Sequence, residues 1–153
     1  MATNKKPRKA YKPKRKVENI LSYMAKLDSR VVIEDLISYE MALMSIVRGE
    51  GTIRDSDMIT GAMNACAVLC LQHGWMEHYP TAVAGQNAQF EMTNRVRAGK
   101  KVLYTGPEMK AVQLALELYE QQVPLMTPKD MANAAILVGQ TLVKMPKVKR
   151  TSV

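Results

Sequence analysis

Cys66, Cys70 and His73 are spaced i, i+4 and i+7, which is one face of a helix, and His78 follows five residues later. Thiolate and imidazole are zinc ligands, so a metal centre is the first chemistry to weigh. One helix usually presents only two ligands to one ion, and the paired-cysteine spacing of structural zinc sites is absent. The same face carries Met58, Ile59, Met63 and Leu69, among which small thiols pack as hydrophobes. Two buried cysteines and no metal are expected. Glu50, Asp55 and Asp57 offer carboxylates to a divalent cation, but they lack the alternating ligands and closing Glu of an EF-hand loop, and helix capping accounts for them. Thr105-Gly106-Pro107 has neither the Gly-Lys-Ser/Thr ending nor the preceding strand of a phosphate loop. With His73 and His78 the only histidines, no Ser/His/Asp or Cys/His arrangement can be built. The expectation is a non-enzymatic protein with no cofactor.

Binding chemistry is better represented. Residues 1 to 16 carry Lys5, Lys6, Arg8, Lys9, Lys12, Lys14, Arg15 and Lys16 with no acid, and Tyr11 lies among them. Such a segment tracks a phosphate backbone, with the aromatic ring available to stack on an unpaired base. Extended, it reaches on the order of 50 Å at about 3.3 to 3.6 Å per residue. Arg95, Arg97, Lys100 and Lys101 form a second cluster, and Lys144, Lys147, Lys149 and Arg150 make the C-terminal stretch basic. The cations at 95 to 101 suit the negative end of a helix dipole, and they also extend a phosphate-binding surface. Of the net charge of +8, the two ends hold +12, and residues 17 to 143 set ten cations against fourteen acids. The body is acidic and its ends are basic. Trp75, His78 and Tyr79 gather amphipathic side chains of the kind enriched in binding hot spots, in a stretch read as a loop; the alternative is a lid over a small core.

These residues need a scaffold, and the chain of 153 residues, 47% hydrophobic, suffices for one domain. Residues 1 to 17 have too little apolar surface to offset the entropy of ordering them and are expected to form a disordered arm. Residues 18 to 145 read as the helical domain and 146 to 153 as a basic tail. A short amphipathic stretch runs from Glu18 to Leu27. Val32, Ile33, Leu36, Ile37, Leu43, Met44 and Val47 then recur at helical spacing until Gly49-Glu50-Gly51. Thr52 or Asp55 caps the next helix, whose stripe of Met58, Ile59, Ala62, Met63, Cys66, Leu69 and Cys70 ends at Gly74. Residues 81 to 98 carry a weak stripe, Ala84, Ala88, Met92 and Val96, stopped by Gly99. Residues 100 to 104 read as a connector. Capping boxes at Thr105–Glu108 and Thr127–Asp130 start two further helices. The first carries Met109, Val112, Leu116 and Tyr119 and ends at Val123-Pro124; the second carries Met131, Ala134, Ala135, Val138 and Leu142 and stops at Pro146. The fold class is all-α, an irregular bundle of about five helices.

No apolar run approaches the roughly 18 residues of a spanning helix, and no signal-peptide segment opens the chain, so no membrane partner is expected. Two cysteines four apart cannot close a disulfide framework, which favours a reducing compartment.

Lys-Pro-Arg-Lys-Ala-Tyr-Lys-Pro-Lys at 6 to 14, Gly-Glu-Gly-Thr-Ile-Arg-Asp at 49 to 55 and Tyr-Thr-Gly-Pro-Glu-Met at 104 to 109 together resemble uncharacterised small helical proteins of bacteriophages and integrated mobile elements in proteobacteria. The resemblance implies a setting in the bacterial cytoplasm and carries over no site residues. Lys12-Pro-Lys-Arg-Lys16 would pass for a nuclear import signal, which has no meaning there. The leading expectation is a nucleic-acid or nucleoprotein-binding accessory protein whose arm contacts phosphates. Sequence-specific readout is disfavoured by the lack of a helix-turn-helix pattern. The competing expectations are an interaction inhibitor of a host factor or defence complex, anchored around Trp75, and a small structural or assembly component.

Overall fold

The computed structural model describes residues 29 to 144. The arm, the Glu18–Leu27 stretch and the tail lie outside them. Five helices follow one another: α1 Ser29–Val47, α2 Ile53–His73, α3 Tyr79–Arg97, α4 Gly106–Gln122 and α5 Pro128–Lys144, with a 3-10 turn at Val123–Leu125. Among the described residues there is no strand, and residues 100 to 104 are a connector pinned by buried Val102. No described helix is long and apolar enough to cross a membrane.

Local chemistry sets the helix starts. Thr52 and Asp55 both cap α2: the Thr52 N–H donates to Asp55 Oδ2 at 2.8 Å, and the Asp55 N–H donates back to Thr52 Oγ1 at 3.2 Å. The same reciprocal pair forms at Thr105 and Glu108 before α4, and at Thr127 and Asp130 before α5. Each box satisfies two backbone donors that a helix start leaves unpaired. α2 ends on Gly74 in the left-handed conformation, as its position after His73 predicts. The turn between α1 and α2 places Gly49 at φ +76°, where a side chain is strained. Two of the three motifs that carry the resemblance thus have structural work: one is this turn with its cap, the other the cap of α4.

α2 is the central helix, in contact with all four others. Ile59, Ala62, Met63, Cys66, Leu69 and Cys70 are fully buried along it, as the spacing predicts. α4 lines the core with Val112, Ala115, Leu116 and Tyr119. Three stripes differ from the sequence expectation. In α3, Ala84 faces solvent, and the buried positions are Ala82, Gly85, Ala88, Gln89 and Met92. A buried glutamine and a glycine lower the apolar signal of a helix that is nonetheless packed on two sides. In α1, Val32, Ala42, Leu43 and Ile46 are buried, whereas Ile33, Ile37, Met44 and Val47 are exposed, because α1 docks by one face at the edge of the bundle. In α5, Ala134 is buried, Met131 and Val138 are half-buried and Ala135 is exposed, since this helix packs mainly on α2.

At Gly85, α3 lies close against both α2 and α4. A Cβ there would lie 2.4 Å from Ala115 Cβ and 2.7 Å from Met63 Sδ. Four residues on, the Gln89 amide fills the gap between α2 and α3. Its Nε2 donates to Ser56 O at 2.9 Å and to Thr60 Oγ1 at 2.9 Å, while its Oε1 accepts from the Tyr104 hydroxyl. Each polar atom of the buried amide is partnered, which avoids a desolvation cost of about 1–3 kcal/mol.

Candidate functional site

Cys66 and Cys70 are fully buried on α2. Burial, with neighbouring Cys70 adding to it, pushes the Cys66 thiol up to about 12, far from the thiolate that nucleophilic or metal chemistry needs. Cys66 Sγ lies 3.6 Å from Ala115 O, and Gln122 Nε2 donates to Cys70 Sγ at 3.1 Å. His73 does not join them. Its ring stacks on Trp75, centroids 4.9 Å apart, and its Nε2 stands 3.8 Å from Asp130 Oδ1. Among the described residues no group of three His, Cys, Asp or Glu side chains is placed to hold a metal ion.

Two surfaces carry the expected binding residues. At one end of the bundle, the α2–α3 connection runs beside the C-terminus of α4 and leaves a cleft of about 230 Å³ lined by Trp75, Glu77, His78, Leu118, Gln121, Gln122 and Leu125. Trp75 is half-buried, packed against the core and held by its stack on His73, so it combines the lid and the cleft wall in one residue. Tyr79 is not in the loop: it is the first residue of α3, because the fixed φ of Pro80 suits a first helical turn. The lining is mixed: Leu118 and Leu125, the latter 69% exposed, face Glu77, His78 and Gln121. The Gln122 side chain is buried in the wall, its Nε2 bonded to α2 and its Oε1 without a protein partner. This arrangement suits an inserted apolar side chain with a polar edge.

At the other end lies the basic cluster. Arg95 reaches from the last turn of α3 to the first turn of α4, where Nη1 and Nη2 donate to the two oxygens of Glu108 at 2.6 and 2.5 Å. Nη2 also donates to Leu103 O at 3.1 Å. This bidentate pair, together with the cap to Thr105, holds the Glu108 carboxyl below its usual range. Arg95 therefore clamps the connector, and its fork is spent within the protein. Arg97, Lys100 and Lys101 stay exposed around it. The spacing of Arg95 and Glu108 gave no hint of the clamp, since thirteen residues and a connector separate them. Lys5, Lys6, Arg8, Lys9, Tyr11, Lys12, Lys14, Arg15, Lys16, Lys147, Lys149 and Arg150 lie outside the described residues. No protein-family model, no curated protein sequence and no solved structure matches this chain.

Proposed function

We propose that this is a non-enzymatic accessory protein of a phage or mobile element that binds nucleic acid or a nucleoprotein complex in the bacterial cytoplasm, with its basic arm on the phosphates. The observation that carries the reading is the segregation of charge: eight cations and no acid in residues 1 to 16, beside a body that is net acidic. An acidic body is repelled by phosphate, so affinity falls to the arm, with Arg97, Lys100 and Lys101 as the exposed cations of the body nearest to a supporting role.

Binding governed by counterion release is independent of sequence, and log K falls linearly with log salt. With about 0.9 per phosphate neutralised on duplex, and not all eight cations in reach at once, the expected slope is roughly −4 to −6. Reversing Lys12, Lys14, Arg15 and Lys16 to Glu cuts affinity at least about tenfold and flattens the slope, while helicity is unchanged. Tyr11→Ala weakens single-strand binding more than duplex binding, because only unpaired bases offer a face. An intact protein with no salt-dependent affinity for any DNA or RNA at low ionic strength sinks the reading.

The second reading, an inhibitor of a host factor or defence complex, draws on the Trp75 cleft, in whose lining Leu125 stands exposed. Under it, capture of the protein partner survives the four arm reversals and is lost in Leu125→Lys.

A further inference from the structure

Five of the large apolar side chains that face solvent belong to one helix. Ile33, Ile37, Met41, Met44 and Val47 of α1 are between 39 and 67% exposed, and they follow one another at spacings of 4, 4, 3 and 3 residues. At 100° per residue they fall within an arc of about 120° opposite the face that docks on α2, an apolar stripe interrupted by Glu40, whose carboxyl turns to Glu120 of α4. A helix apolar on two sides is covered on both, and a patch of this kind marks an interaction surface. Its charges indicate what covers it. Glu34 borders the stripe, and Arg48, in the turn just after α1, continues it on the same side, fourteen residues on, which is close to four turns. Parallel helices would keep the two charges about 20 Å apart along the axis. An antiparallel copy of the same helix, crossing at Met41, sets Glu34 of each beside Arg48 of the other, twice over. The Arg30 contact to Glu34 uses Oε1 at 3.1 Å, which leaves the carboxylate's other oxygen for the second guanidinium.

We infer that the exposed stripe of α1 is a homodimer interface, in which two copies pack α1 antiparallel about a two-fold axis at Met41 with reciprocal Glu34–Arg48 ion pairs. The interface is isologous, so the same patch serves both copies. One helix pair buries area at the low end of specific interfaces, so the dimer is concentration-dependent. The inference stands apart from the function proposed above, since it uses neither the arm nor nucleic acid.

Sedimentation of the full chain across a roughly hundredfold concentration range reads it directly. The wild type passes from monomer to dimer. Met41→Lys, which faces two like charges across the axis, keeps the chain monomeric with unchanged helicity. Arg48→Glu weakens the dimer at least about tenfold, and adding Glu34→Arg restores it by exchanging the charges. Met41→Cys gives a positive readout: under oxidation it forms a disulfide-linked dimer on a non-reducing gel, whereas Phe90→Cys, more than half exposed on α3, does not. Cys66 and Cys70 do not interfere because both are buried. A wild type that stays monomeric throughout overturns the inference, and so does a dimer that tolerates Met41→Lys. A monomer that Met41→Lys destabilises overturns it too, because the stripe is then covered by the chain's own amphipathic Glu18–Leu27 stretch.

Discussion

α1 and α3 have the same length, 19 residues, and opposite relations between apolar content and burial. α1 is rich in Ile, Leu, Val and Met and offers half of them to solvent. α3 contains two Gln, two Asn, two Thr and a Gly, yet it packs against both α2 and α4. What places α3 inside is fit. Gly85 allows a close approach, Gln89 finds a partner for each polar atom, and Arg95 pins the end of the helix to Glu108. What leaves α1 outside is its position in the chain order: it docks by one face, and no later helix crosses the other. Apolar content says that surface will be buried somewhere; shape and polar pairing decide where.

The largest break in the comparison is expected from Met92→Ala. Met92 is fully buried in α3, and its truncation removes about 2 to 5 kcal/mol from unfolding stability measured by denaturant titration. Met41→Ala in α1, measured where the chain is monomeric, changes it by less than about 0.5 kcal/mol. Equal losses at the two sites would erase the distinction between the helices. Next in size is Gly85→Ala. In an ordinary helix interior this change gains up to about 1 kcal/mol, but a Cβ meeting Ala115 Cβ and Met63 Sδ reverses the sign, to a loss of about 1 to 3 kcal/mol. Ala115→Gly in the same chain recovers part of it. Recovery is expected because the Ala115 methyl is bonded directly to Cα and has no rotamer by which to swing aside.

The smallest effect concerns the edge where α1 meets α4. Burial, reinforced by a hydrogen bond with Glu40 and by the charges of Glu40 and Glu117, raises the Glu120 carboxyl above its ordinary value. A raised carboxyl contributes its stability below the unfolded value and loses it as pH rises through the folded value. Glu120→Gln therefore raises the thermal midpoint near pH 7, and the gain shrinks to nothing by about pH 4. Glu108, Asp55 and Asp130 act in the opposite sense: their carboxyls are lowered by Arg95 or by their capping contacts, and their stability is lost as pH falls. A variant whose advantage is the same at both pH values would show that Glu120 does not titrate with folding.

The sequence by itself determined where α2, α4 and α5 begin, where α2 ends and which face of α2 is core. Thr52 with Asp55, Thr105 with Glu108, Thr127 with Asp130, and Gly74 act on backbone groups within a turn of themselves, so their signals are complete in a few consecutive residues. The burial of Cys66 and Cys70 followed from their place among Ile59, Met63 and Leu69 on one dense stripe. Only the tertiary structure decided that Arg95 is spent on Glu108, that Gln89 is a core residue, and that Ile33, Ile37 and Met44 face outward. Each of those depends on a partner many residues away, and helical periodicity reports that a face is apolar without reporting whether a neighbour arrives to cover it.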